Sequence, residues 1–440
     1  MWILYDLIFL VFALCYLPVF LLKKKMHPGF SMRLGILPKG MVFNRPAWLH
    51  AVSVGEAMSV RHLVEHIRWQ LPGTRFVIST VTATGNKVAW SIAKSEDAVI
   101  YLPLDFSFIV KKVISAIDPA VFIIAETEIW PNLISCLYTR GVPIIVVNGR
   151  ISDRSLPGYW LVRFFIRPLL NKVTLFCVQT ELDARRLKIL GVSEDKIKVT
   201  GNMKFDIQVR DYEELRKDYT DYRVKLGLGV KERLMIAAST HPGEEETVVD
   251  IYRTVVKDRP EFKLLIAPRH PERGSDIEKD INRFEELKAV RISQLAQEKN
   301  AEFFRQGPGG KSSVFILDTI GQLMYFYAIA DIVFVGGSLV KKGGHNILEP
   351  ASLGKPILFG PHMFNFRAIA GLFLDGRAAV EVRSRDELEK AVKELLADPA
   401  GCAQRGRASR ELIIKNQGAT KRNGQEIIAV LKNKSGGIIK

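Results

Sequence analysis

Residues 47–71 read AWLHAVSVGEAMSVRHLVEHIRWQL. The segment 48–52 is apolar apart from His50 and suits a buried strand. Ser53-Val54-Gly55 breaks the run. From Glu56 onward EAMSVRHLVEHIRWQL reads as an amphipathic helical segment. A strand handing over to an amphipathic helix through a short polar turn is the repeating unit of a parallel α/β sheet. The rest of the chain tests whether the unit repeats.

It does. Apolar, β-branched runs fall at 76–80, 98–103, 120–126, 143–149, 175–179 and 197–201, with helical patterns such as DFSFIVKKVISAID between them. Residues 207–228 are charged and contain no strand, which suits a linker between domains. The alternation then restarts at 233–239, 262–268, 313–318, 331–337, 356–360 and 378–382. No pattern is assigned to 285–311. The expectation is an α/β protein with two doubly wound, Rossmann-like domains facing a cleft, at 46–206 and 229–410, and a helical tail over 411–440. Ligands in such sheets bind beyond the carboxyl ends of the strands.

The chain has 440 residues, 48% of them hydrophobic and 25% charged, which permits a large core and argues against wholesale disorder. A formal net charge of +16 favours anionic partners without choosing among phosphates, lipid and nucleic acid. Cys15, Cys136, Cys177 and Cys402 show no bridge or zinc spacing. Residues 1–22, MWILYDLIFLVFALCYLPVFLL, carry one charge, Asp6, and precede Lys23-Lys24-Lys25. The charges follow the apolar run and no small-residue cleavage site is seen, so the segment reads as an uncleaved membrane anchor. A basic neck follows over 23–45, and the positive-inside rule puts the body on the cytoplasmic side. A segment lying in one leaflet is the alternative.

Polar clusters follow the apolar runs: Ser53-x-Gly55-Glu56, Thr80-x-Thr82-x-Thr84-Gly85, Glu126-Thr-Glu128, Asn148-Gly-Arg150, Lys204 within GNMKFD, Ser239-Thr240-His241, Arg269-His270, Gly336-Gly337-Ser338 and Gly343-Gly344-His345-Asn346 with Glu349. Glycine turns at helix starts can offer backbone N–H groups to an anion, or can be ordinary turns. A glutamate after glycine at a helix start can stabilise the helix dipole or face a ligand. The residues alone leave both open. Carboxylates at two strand ends of one half suit general-base work. Neither a nicotinamide fingerprint nor a Walker loop is present, and no metal is expected.

These motifs, as HAVSVGE, TVTATG, YLPLD, AETEIWPN, NGRISDRS, VTGNMKFD, ASTHPGEEE, APRHPER, GGS and GGHNILEPA, resemble those of the Kdo (3-deoxy-D-manno-octulosonic acid) transferases of Gram-negative bacteria, glycosyltransferase family 30, from roughly residue 30 to 415. The resemblance implies a GT-B fold and a metal-free, inverting transfer of Kdo from CMP-Kdo to the lipid A precursor, with no cofactor. It implies Glu56 as catalytic base, with Glu126 or Glu128 as a second important carboxylate. It places Ser53, Gly55, Thr84 and Lys204 on the acceptor or an anion. It places Ser239, Thr240, His241, Arg269, His270, Gly337, Ser338, Asn346 and Glu349 on the donor. It implies an inner-membrane enzyme that meets anionic lipid and not nucleic acid. Lys341-Lys342 departs from the expected pattern. The residues also admit a transferase using a UDP- or GDP-sugar, an epimerase, or a membrane-tethered binder of anionic polymer or nucleic acid.

Overall fold

The computed structural model describes residues 5–11, 13–15, 29–38, 40–41, 43–153, 155–207, 222–295 and 312–435. Residues 1–4, 12, 16–28, 39 and 42 of the expected anchor and neck, most of the expected linker, and FRQGPGG lie outside them. Among the described residues no helix is long and apolar enough to cross a membrane. The chain divides into two units, Met1–Asp206 with Asn416–Lys440, and Ile207–Lys415.

The first unit holds a seven-stranded parallel sheet of β1 (Ala47–His50), β2 (Phe76–Thr80), β3 (Ala98–Tyr101), β4 (Val121–Ala125), β5 (Ile144–Gly149), β6 (Leu175–Val178) and β7 (Ile197–Val199), in the order 3-2-1-4-5-6-7. Consecutive side chains on a strand point to opposite faces. Trp48, Val77 and Phe122 therefore fill one core while Leu49, Ile78 and Ile123 fill the other. That is why these strands read as unbroken apolar runs. The helix Val54–Gln70 buries Ala57, Val60, Leu63, Val64 and Ile67, the residues at helical spacing in the opening stretch.

The last helix, Ala419–Ser435, belongs to this first unit and adds Ala419 and Ile427 to the second core. Asp206 secures its start: the two carboxylate oxygens accept from the backbone N–H groups of Gly418 (2.6 Å) and Thr420. An acid at a helix start satisfies otherwise unpaired donors.

The second unit holds β8 (Arg233–Thr240), β9 (Phe262–Pro268), β10 (Leu287–Arg291), β11 (Ser312–Ile316), β12 (Ile332–Val335), β13 (Ile357–Phe359) and β14 (Ala379–Glu381), in the order 10-11-9-8-12-13-14. All its pairings are parallel. β10 is the strand absent from the sequence expectation. It is a sheet edge, and its five residues, LKAVR, include two partly exposed charged ones, so it lacks the apolar run of a central strand. Without β10 the order is that of a doubly wound nucleotide-binding sheet, as it is in the first unit without β7. Strand order reverses between β1 and β4 in one unit and between β8 and β12 in the other. Chemistry is therefore sought after those four strands.

Candidate active site

Ser53 caps the helix that follows β1. Its hydroxyl accepts from the Glu56 N–H (3.3 Å) and donates to Glu56 Oε1 (2.9 Å), while Glu56 Oε2 accepts from the Val52 N–H (2.7 Å). This reciprocal cap is the local role open to Glu56 from the sequence. It also fixes the carboxylate at the strand end. Each oxygen keeps a second lone pair. Glu56 is half-buried, and desolvation is the largest influence pushing its pKa up; the Val52 and Ser53 hydrogen bonds oppose it, Glu126 raises it further and Lys204 lowers it.

Glu126 follows β4 in the left-handed region at φ 59°, a conformation a non-glycine residue adopts at a cost of about 1–3 kcal/mol. Lys204 Nζ lies 3.1 Å from Glu126 Oε1. Lys204 thus faces a carboxylate of its own unit. Its loop is pinned by Asn148, whose Oδ1 accepts from the Met203 N–H (2.9 Å), and by Asn202, whose Oδ1 accepts from the Lys204 N–H (3.0 Å). Thr127 Oγ1 accepts from the Arg150 N–H (3.0 Å), which ties the Glu126–Glu128 segment to the Asn148-Gly-Arg150 turn. Glu128 is pushed up to about 7, first by burial and then by the neighbouring Glu56 and Glu126 charges. Three carboxylates and one ammonium thus act on one another where strand order reverses. Carboxylates crowded this way share protons unequally.

Thr84 and Gly55 are exposed. Gly85 serves packing: a Cβ there would lie 3.2 Å from the Val52 carbonyl oxygen and 2.9 Å from Thr82 Oγ1, so glycine lets this helix start approach the β1 turn. The Gly85 N–H is given to Thr82 Oγ1 at 3.0 Å and is not offered to an anion.

In the second unit Ser239 is left-handed at φ 56° and Thr240 is fully buried, with its hydroxyl oxygen unpartnered among the described residues. The amides of Gly337 and Ser338, expected to receive the donor, are already used. Buried Glu244 accepts from the N–H groups of Gly337 (2.7 Å), Ser338 (3.0 Å), Leu339 (3.0 Å) and His241 (3.0 Å). The GGS turn is therefore an internal carboxylate nest. The Ser338 hydroxyl is buried and accepts from the Gly360 N–H (2.8 Å). Gly337, at φ 65°, brings the turn close enough to His345 that a Cβ would lie 2.9 Å from its ring.

His241 and His345 stack at 5.2 Å between centroids with their Nε2 atoms 2.9 Å apart. One shared proton satisfies that contact and two would repel. Burial and then the His241 charge push His345 down to about 4. His270 is exposed and packs edge-on to His241 at 6.3 Å. Arg269 is exposed, its N–H donating to the Thr240 carbonyl (3.0 Å). Asn346 Nδ2 donates to Glu349 Oε1 (3.0 Å), and burial pushes the Glu349 carboxyl up. The expected donor residues thus gather after β8, β9 and β12.

A sequence profile of the 3-deoxy-D-manno-octulosonic-acid transferase (kdotransferase) family matches residues 29–207. The 3-deoxy-D-manno-octulosonic acid transferase of Haemophilus influenzae is 34% identical over 381 residues, covering 85% of this chain and 84% of its own. The chain belongs to the Kdo transferase family. The transferase of Chlamydophila psittaci is 32% identical over 82% of this chain and 81% of its own. Among solved structures, the UDP-GlcNAc 2-epimerase of Neisseria meningitidis aligns over 88% of this chain and 100% of its own, with a TM-score of 0.54 at 12% identity, a likeness of fold alone. The two parallel-sheet units are those of a GT-B fold.

In this transferase three further residues, Glu244, His345 and Asp105, stand inside the motifs ASTHPGEEE, GGHNILEPA and YLPLD without a role read for them from the sequence, and Asp6 is a fourth. Asp105, 1% exposed, accepts from the Asn132 (3.0 Å) and Leu133 (2.8 Å) N–H groups and so sets the helix following the ETE segment. The fourth, Asp6, is the lone charge of the expected anchor. Its Oδ1 accepts from the Ser107 N–H (3.0 Å) and Asn132 Nδ2 (2.7 Å), and its Oδ2 from the Ser107 hydroxyl (2.5 Å).

Proposed function

We propose that this Kdo transferase moves Kdo from CMP-Kdo onto a hydroxyl of a lipid A precursor, with inversion at the anomeric carbon and Glu56 as the general base. The observation that carries the proposal is the group of Glu56, Glu126, Glu128 and Lys204 after β1 and β4, where strand order reverses. Glu56 is held by its cap with lone pairs to spare, and its raised pKa makes its ionised form the stronger base. Lys204 balances Glu126. Glu128, near neutrality, takes up a proton in place of Glu56 and so relieves the charge crowding. The acceptor proton passes to Glu56 as the hydroxyl oxygen attacks the donor carbon and CMP departs.

The second unit receives the donor in this reading. Thr240, Arg269, His270, Asn346 and Glu349 supply the polar and cationic contacts, and Glu349 accepts from a ribose diol. Gly337 and Ser338 act through the shape of their turn, since their amides serve Glu244. Exposed Leu7, Leu10 and Val11 of the N-terminal helix and the basic residues of the neck set the body at the cytoplasmic face of the inner membrane, against anionic lipid.

The test is transfer from CMP-Kdo, generated in place, to a tetra-acylated lipid A precursor, with products weighed by mass spectrometry. Glu56→Gln is expected to keep CMP binding and the fold and to lose most turnover. Turnover within a few-fold of wild type would overturn Glu56 as the base, and a preference for UDP over CMP in binding would overturn the donor.

A further inference from the structure

A cavity of about 660 Å³ opens in the first unit beside the carboxylate group. Its floor includes Thr127 and Glu128, and its walls are apolar: Ile8, Trp130, Val162, Ile166 and Leu169 among them. The volume falls in the range of about 300–1,000 Å³ that takes a drug-sized ligand. One wall is the N-terminal helix, residues 5–11, which the sequence suggested only as an anchor. Asp6 pins that helix by its three hydrogen bonds to Ser107 and Asn132, and Phe9 packs edge-on to Phe106 at 4.9 Å.

The opposite wall is the helix Arg163–Leu170 with Val162 and the end of the short helix Leu156–Leu161 before it. Its outer residues are unusually exposed for their type: Leu161 is 80% and Phe164 82% accessible. Val162 and Phe165 line the cavity and also reach solvent, so the apolar rim and the apolar interior are continuous. Arg163 stacks on Trp160 at 4.4 Å at this rim. A ligand matching these features carries hydrocarbon, bears a polar group where Glu128 stands, and has negative charge near the rim. An amphiphile with fatty acyl chains has all three.

We infer that this cavity holds a fatty acyl chain of the acceptor, and that the N-terminal helix, pinned by Asp6, is a specificity-determining wall of the site. The inference rests on the transferase reading above and adds the part of the substrate that the cavity measures. An acyl chain lying between Ile8 and Ile166 leaves the sugar end of the amphiphile beside Glu128. Acylation of the acceptor then governs how often its hydroxyl is presented to the carboxylates.

Two measurements on the full chain test this. The first is independent of activity. A brominated fatty acid is titrated into the protein and tryptophan emission is followed; saturable quenching is expected, and its loss in Trp130→Phe locates the chain in the cavity. The second compares kcat/KM for a tetra-acylated and a fully deacylated acceptor. Ile8→Asp is expected to lower the preference for the acylated acceptor at least tenfold. Leu14→Asp places the same charge on an exposed position of the same N-terminal segment, outside the cavity wall, and is expected to keep that preference. Asp6→Ala, which unpins the wall without adding charge, is expected to follow Ile8→Asp. Absence of saturable quenching, or equal losses in Ile8→Asp and Leu14→Asp, overturns the inference, the latter because simple membrane attachment then explains the effect. Quenching that is lost in Trp130→Phe while neither acceptor receives Kdo upholds the cavity and defeats the transferase reading instead.

Discussion

Replacing Lys204 with methionine removes the ammonium group that faces the Glu126 carboxylate at 3.1 Å while keeping the length and apolar stem of the side chain. Both partners are about one quarter exposed. Breaking a fully buried ion pair costs about 3–5 kcal/mol and losing a surface pair about 0–1. An intermediate value of about 2 kcal/mol is the working cost to stability, and the effect on Glu56 is smaller, because Lys204 is the last of the influences on that carboxyl. The loss has a particular form. Lys204 lowers the pKa of Glu56, so removing it raises that pKa and leaves less ionised base at neutral pH. In Lys204→Met the acid limb of kcat/KM should move to higher pH, and alkaline conditions should recover much of the activity. The double variant Lys204→Met/Glu126→Gln removes both charges, and it should be less impaired than Lys204→Met alone, because no unpaired carboxylate remains. The assay is the pH profile of Kdo transfer for the four proteins of this cycle. An unshifted profile in Lys204→Met, or a double variant with the two losses simply added, would refute the electrostatic argument.

Two further outcomes follow from the same geometry. Glu244→Gln places an NH₂ group among four N–H donors, so it should destabilise the second unit by about 3 kcal/mol and weaken CMP binding; urea titration and calorimetry read the two effects. Glu128 has a folded pKa raised to about 7 against an unfolded value of about 4.3, so the folded state holds the extra proton between those values. Stability should therefore fall as pH rises from about 4 to about 7, and urea midpoints at the two ends should differ less in Glu128→Gln than in wild type.

Much of this arrangement is legible in the chain before it folds. The strand-to-helix unit at 47–71 repeats because parallel strands covered on both faces must be apolar at every position, and that leaves a signal at each central strand. The polar residues interrupting those runs stand out for the same reason, which is how Glu56, Glu126, Glu128 and Lys204 are found. Edge strand β10 escapes because an edge need not be apolar throughout.

Partnership is what sequence alone cannot assign. Ser53-x-Gly55-Glu56 is compatible with a helix cap or a ligand site, and the fold makes the same carboxylate a cap that also feels Glu126 and Lys204. GGS looks like an anion-binding turn, yet Glu244, more than ninety residues away, already fills it. Asp6 looks like a blemish in an anchor until Ser107 and Asn132, more than a hundred residues on, are seen to hold it. Local chemistry and burial pattern are written along the chain because each residue meets its own neighbours and its own face of the sheet. Which carboxylate meets which donor depends on strand order and crossover, and those exist only once each sheet has assembled.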